Sequence, residues 1–312
     1  MNWFRSKVFC FPLLLMVAGF VVAGCATSGV DAVTGATAKA QVSGPGTLLL
    51  VSMGTGDTDN MTMRARQAVA AADIVFTMGA RTDYYGELLA RKTVYDAGHR
   101  LFFQGETRSG PGHPGPKPPQ KKLKGKTPTG AGHGPRMDKS PEEIAAQREK
   151  TRRIIRDAVA AGKHVVILDN GDPTIFGPHI DYMREFDDLN PGIVPGISSF
   201  NAANAALQTS LVSGDAMAVT LTIGRLEGGR DKMIAGMIDA GETLVFFMVR
   251  DLNGFVTSLN ALVSADTPVA IVSWAGSREK QRVIRGTLGT ILETVGGERV
   301  PNYLLYVGSA LK

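Results

Sequence analysis

Three glycine-containing loops are the residues of this chain best suited to chemistry. They are Gly54-Thr55-Gly56-Asp57, Gly171-Asp172-Pro173-Thr174-Ile175-Phe176-Gly177 and Val194-Pro195-Gly196-Ile197-Ser198-Ser199. Each follows a short apolar run of strand type. Glycine at a strand end lets the backbone approach a ligand closely and present its N–H groups. In an open parallel sheet, ligands bind at these carboxyl ends. None of the three loops has the full G-x-G-x-x-G spacing, so a nicotinamide site has little support. Singly, each can be read as a turn.

Two other residue classes bear on chemistry. The cysteines are Cys10 and Cys25 only. Val22-Ala23-Gly24-Cys25 resembles a bacterial lipobox, in which the chain is cut before a cysteine whose thiol becomes a lipid thioether. Arg5 and Lys7, then the apolar run Phe9–Val22, make residues 1–24 read as a secretory signal. On that reading Cys25 is the lipidation site, and no thiol remains for metal or nucleophile chemistry. Ala26, a non-acidic residue after the cysteine, points to the outer membrane. The histidines do not form a metal-binding spacing: His113 and His133 are isolated Gly-His pairs, and His99 and His179 stand alone.

The elements that must position these loops follow from periodicity. Residues 25–45 are small and polar and read as a flexible tether. Apolar runs at 48–51, 74–76 and 164–168 predict buried strands. Between them, helices are expected over 61–72 and 83–92, and over 141–161 behind the capping box Ser140-Pro141-Glu142-Glu143. A short helix and strand lead to Val194, and an Ala/Asn-rich helix follows Ser199. This alternation predicts a parallel, doubly wound α/β sheet over residues 46–213. After Gly214 the pattern restarts, with strands expected at 216–222, 243–248, 269–273, 282–285 and 303–307. Helices are expected at 231–240, 251–263 and 288–295. The last two strands are not separated by a long helix, so residues 214–312 predict a mixed second lobe, with a functional cleft between the lobes.

Residues 104–139 interrupt the first lobe with seven Pro, eight Gly and eight Lys/Arg against Glu106 and Asp138. They read as a flexible basic insertion. The formal charge of +5 therefore sits in the leader and this insertion, and the globular body is mildly acidic. A nucleic-acid partner is not expected.

Taken in order, the loops are more specific than any one of them. Strand–GTGD–helix, strand–GDPTIFG–helix, VPGISS–helix, TLVFFM, TPVAIV, QRVIRGTL and PNYLLYVG together resemble the tetrapyrrole methylase family over residues 46–311. The resemblance implies a two-lobed fold, S-adenosylmethionine as cofactor, and a porphyrin or corrin precursor as small-molecule substrate; a homodimer is compatible with it. It implies that Gly171, Asp172 and Ile175 lie against the methionine part of the cofactor, with Ser198 and Ser199 close by. Met248 would pack on the adenine, and Thr267, Pro268 and Ala270 would line the far side. Gly54, Asp57, His179 and Arg225 would face the substrate, His179 as ligand to a metallated ring and Arg225 to its carboxylates. Arg81 and Arg100 are further cation candidates. Two loops depart from the family pattern. Gly54-Thr55-Gly56 lacks the family's proline, and Thr77-Met78-Gly79-Ala80 replaces its Tyr-Asp. Export would also separate the domain from S-adenosylmethionine, which is made in the cytoplasm. The sequence thus leaves two functions open: an envelope-anchored methyltransferase, or a lipoprotein that keeps the cleft only to bind a tetrapyrrole or other planar ligand.

Overall fold

A computed structural model describes residues 45–80, 85–103 and 139–311. The expected signal, lipidation site and tether, Arg81, and residues 104–138 of the insertion lie outside the described residues.

The first sheet contains β1 (Thr47–Ser52), β2 (Ile74–Thr77), β3 (Thr93–Asp96), β4 (His164–Asp169) and β5 (Gly192–Val194), in spatial order β3-β2-β4-β1-β5. Every pairing in it is parallel. The strands are apolar on both faces because helices cover both. Helix α2 (Pro141–Ala160) sets Ile155 and Ala158 against Leu48, Leu50, Val165 and Ile167. Helix α1 (Met63–Ala71) sets Ala65 and Val69 against Val51, Val75, Val166 and Leu168 on the other side. The residues of β1 and β4 alternate between these two clusters with the period of two that a pleated strand imposes. The capping box at α2 forms as its sequence predicts: Ser140 Oγ accepts from Glu143 N at 3.2 Å, and Ser140 N donates to the Glu143 carboxylate at 2.6 Å.

One element differs from expectation. In place of a helix over 83–92, the described residues show a single 3₁₀ turn at Gly86–Leu88 and then β3. Gly86 has φ 46, and Thr93-Val94-Tyr95 are β-branched or aromatic, so the segment fits an edge strand after a tight turn.

Two short elements follow the β4 loop: α3 (Asp181–Glu185), and α4 (Ser199–Leu207) after β5. The second sheet holds β6 (Val219–Ile223), β7 (Thr243–Phe247), β8 (Pro268–Ser273), β9 (Arg282–Thr287) and β10 (Tyr303–Val307), in order β6-β7-β10-β8-β9. Only β6–β7 is parallel, so the sheet is mixed. Helices α5 (Arg230–Asp239), α6 (Leu252–Asn260) and α7 (Ile291–Val295) cover one face. On the opposite face Ala203 and Leu207 of α4 join Val245, Phe247, Ala270, Val272 and Tyr306 in one cluster.

Candidate active site

The site begins at the carboxyl edge of the first sheet, where β1 and β4 end side by side. Gly171 N donates to Gly54 O at 2.7 Å, Met53 N donates to Asp169 O at 2.8 Å, and Ser52 Oγ donates to Gly171 O. Gly54 and Gly171 have φ 73 and 69, a conformation that glycine reaches without strain. A side chain at Gly171 would stand 3.7 Å from Ser198 Cα and Ser199 N. The Gly171 loop thus lies against the start of α4. Ser198 caps that helix: its Oγ accepts from Asn201 N at 3.2 Å and donates to Asn201 Oδ1 at 2.8 Å. The first helical amides, of Ser199 and Phe200, have no partner inside the helix, which makes this end suited to an anion.

Asp169 fixes the loop from below. It is 4% exposed; its Oδ1 accepts from Asn170 N at 2.9 Å and its Oδ2 from His179 N at 3.3 Å. One buried carboxylate therefore ties both ends of the 170–179 loop. Asp172 is occupied locally, accepting from Thr174 N at 2.8 Å and Thr174 Oγ1 at 2.6 Å.

The second sheet meets this edge at three points. Ile175 packs into the α4 cluster, and the Phe176 ring lies 5.0 Å from Phe247 at the end of β7. The Gly54–Asp57 loop is tied to the turn after β8. Asp57 N donates to Gly276 O at 3.0 Å, and Asn60 Nδ2 donates to Gly276 O at 2.8 Å and to Thr55 O at 2.9 Å. Arg278 N donates to Asp57 Oδ2 at 2.9 Å. That amide bond, with Ser277 and the charges of Arg278 and Lys280, holds the Asp57 carboxyl below its usual range despite some desolvation. Asp57 thus joins the two sheets. An open cavity of about 680 Å³ lies beside this junction, lined by Gly196, Ile197, Asn201, Ala205, Gly276 and Gln281.

The strand register relocates part of the expected site. Strands β7 and β8 both run antiparallel to β10, which lies between them, so they point the same way. Phe246, Leu305 and Ile271 are level. Met248 is therefore level with Ser273, and Pro268 with Thr243, five residues lower, which is about 16 Å along a strand. Thr267 and Pro268 stand at the opposite edge of the sheet from Met248. There Thr267 O accepts from Leu288 N at 2.9 Å and Pro268 O from Gly308 N at 3.0 Å. Ala270 is fully buried in the core. The residues that reach the site edge are those just after β8: Trp274, Ala275 and Gly276. Their only sequence signal is the small-residue turn after an apolar strand.

His179 is also relocated. It is 1% exposed, with its ring edge-on to Tyr182 at 6.0 Å and its Nδ1 3.5 Å from Asp169 Oδ2. It lies beneath the loop and does not present a ligand to a cleft, because α3 packs it into the first core. Met248 stands at the site edge, 52% exposed. Arg225 is exposed just past β6, on the same edge, since Gly224 N donates to Phe247 O at 2.8 Å. Arg100 has its guanidinium 3.6 Å over the Phe103 ring, and His99 lies beside it in the turn after β3. Among the described residues no group of three His, Cys, Asp or Glu side chains is placed to hold a metal, and no helix is long and apolar enough to cross a membrane.

The family model of the tetrapyrrole (corrin/porphyrin) methylases matches residues 47–292, which takes in the first sheet, the second sheet as far as β9 and α7, and the three glycine loops. The chain belongs to the tetrapyrrole methylase family. Among curated relatives, the precorrin-4 C(11)-methyltransferase of Mycobacterium tuberculosis is 37% identical over 153 residues, 46% of this chain and 60% of that protein. A siroheme synthase of Psychrobacter sp. is 28% identical over 278 residues, 86% of this chain and 48% of that protein. The chain thus spans only part of the length of these relatives. A tetrapyrrole methylase of known structure, the cobalamin biosynthetic enzyme cobalt precorrin-4 methyltransferase, superposes with a TM-score of 0.59 at 20% identity, covering 85% of this chain and 96% of that one. The uroporphyrin-III C-methyltransferase from Thermus thermophilus, complexed with S-adenosylhomocysteine, gives 0.55 at 22% identity, covering 85% and 99%. These likenesses show the fold: a parallel doubly wound lobe and a mixed lobe.

Proposed function

We propose that this tetrapyrrole methylase transfers a methyl group from S-adenosylmethionine to a tetrapyrrole or closely related ring. The observation that carries the reading is the meeting of Gly54, Gly171 and the Ser198–Ser199 turn at one sheet edge, where Gly171 N donates to Gly54 O at 2.7 Å and the bare Cα of Gly171 faces the turn. The family and the activities of its members support it.

S-adenosylmethionine, when bound, supplies an electrophilic methyl group on a sulfonium. The residues present fit it. Gly171, with no side chain and φ 69, leaves room for the methionine part. The free amides at the start of α4 suit its carboxylate. Met248, exposed beside Phe247, offers an apolar surface for the adenine. Asp57 and Asp172 are both engaged in holding loops, so neither is poised as a base. The chain's contribution is to orient two ligands and exclude water, which is what an in-line group transfer chiefly needs.

Calorimetry of the full chain with S-adenosylhomocysteine, followed by transfer of labelled methyl to uroporphyrinogen, tests the reading. Binding and ring labelling are expected. A folded protein that binds no S-adenosylhomocysteine at high concentration would refute it.

The location proposed from the sequence is the bacterial envelope, with the chain anchored by a lipid on Cys25. The charged start, apolar run and lipobox of residues 1–25 support this. Cys25→Ser should leave the chain unprocessed or release it from the membrane fraction. Wild-type protein that is soluble and retains residues 1–24 would contradict the anchor.

A further inference from the structure

Seven non-glycine residues among those described have positive φ. Four are polar or charged: Arg100, Asn190, Gln208 and Asn302. The other three are large and apolar: Phe176 at φ 62, Met248 at 54 and Trp274 at 51. These same three are exposed, by 43%, 52% and 36%. None of the three belongs to a hydrophobic cluster of the fold. A left-handed backbone disfavours bulky side chains, and exposure forfeits the burial that would offset the strain. All three follow strands at the site edge: Phe176 after β4, Met248 after β7 and Trp274 after β8. Strained residues of this kind are retained where a ligand uses them.

Trp274 stands apart from the other two. Phe176 and Met248 flank Phe247, where the adenine is placed. Trp274 is two strands over, with β10 between, or about 10 Å away across the sheet. It belongs to none of the hydrophobic clusters of the fold. Lys280 Nζ lies 5.2 Å from the centre of its ring, and the charge of Lys280 reaches Asp57 in the first loop. An aromatic face and a cation therefore stand together at the rim of the site.

We propose that Trp274 and Lys280 form the substrate side of the site, with the indole stacking on the flat face of the ring and the ammonium pairing with one of its carboxylates. This rests on the methyl-transfer reading above. A flat, carboxylate-bearing ring is the ligand class that uses both groups at once.

The test uses the full chain with two probes: uroporphyrin, followed by its Soret absorption, and S-adenosylhomocysteine, followed by calorimetry. Trp274→Leu should weaken uroporphyrin about tenfold or more and leave S-adenosylhomocysteine within about twofold. Trp274→Asn should do the same with a melting temperature no lower than wild type, because asparagine tolerates the left-handed backbone. Lys280→Gln should weaken uroporphyrin several-fold and flatten its salt dependence. Unchanged uroporphyrin affinity in Trp274→Leu would overturn the proposal. So would a Trp274→Asn variant that melts lower and loses both probes, since that marks a structural residue. Wild type that binds S-adenosylhomocysteine but not uroporphyrin would overturn it and leave the cofactor reading standing. Wild type that binds neither would remove the methyltransferase reading and this proposal with it.

Discussion

The two sheets present opposite kinds of edge to the site. The edge of the parallel sheet is held by buried backbone bonds: Gly171 to Gly54, Met53 to Asp169, and Asp169 to both ends of its loop. Its contacts are made by glycines and amides, with little side-chain freedom. The edge of the mixed sheet carries large side chains in strained, exposed positions at Met248 and Trp274. The first arrangement suits an invariant ligand part recognised by backbone. The second suits ligand surfaces recognised by side chains, which substitution can retune without rebuilding the fold.

Variants can break or sharpen this contrast. The largest effect is expected at Gly56→Ala. Gly56 has φ 73, and a Cβ there would overlap the backbone of Gly276, where the two edges meet. Stability to urea should fall by about 3 kcal/mol or more. A loss below about 1 kcal/mol would show that the junction yields easily. Next is Asp169→Ala, which strips the amides of Asn170 and His179 of a buried charged acceptor. It should lose about 2–3 kcal/mol and weaken S-adenosylhomocysteine; unaltered binding would mean the loop holds its shape without that carboxylate.

The other edge should respond with the opposite sign. Met248→Gly relieves a positive φ and removes exposed apolar surface. It should gain about 1 kcal/mol in stability while losing affinity for S-adenosylhomocysteine. A variant that is both less stable and fully binding would contradict the strain argument. The mildest expectation concerns pH. Tyr303, just below this edge, donates to Val249 O at 2.9 Å, and burial, with the charge of Asp251 behind it, pushes its hydroxyl up to about 12. The folded value exceeds the unfolded value of about 10. Its contribution is therefore complete below about pH 10 and is lost as pH rises toward about 12. Melting temperatures across that range should decline less steeply in Tyr303→Phe.

Much of the fold was legible because its signals are local. Both-face apolar runs marked β1, β2 and β4, and Ser140-Pro141-Glu142-Glu143 marked the start of α2 within a residue. The absence of a helix between residues 285 and 303 long enough for a crossover foretold the mixed sheet. The segment 83–92 misled because most of its residues favour helix, whereas in its described part Gly86 takes a positive φ and only a 3₁₀ turn forms before β3. The site was legible in its loops and not in its depth. His179 follows the GDPTIFG loop in sequence, yet Asp169 and Tyr182 draw it under the loop. Thr267 and Pro268 lead into β8 and Trp274 follows it, and only the register with β10 shows which end meets the glycine loops.

The sequence by itself determined most of the kinds of element, their order, their caps and the three glycine loops at the strand ends. Each of these depends on neighbours a few residues apart, through propensity, periodicity and turn conformation. Tertiary structure decided which loops converge, which end of β8 faces the site, that His179 is core and that Trp274 is not. Those outcomes depend on bonds such as Ser52 to Gly171 and Asn60 to Gly276, 119 and 216 residues apart. Contacts of that separation form only when both sheets close on their cores, and no local pattern of residues encodes them.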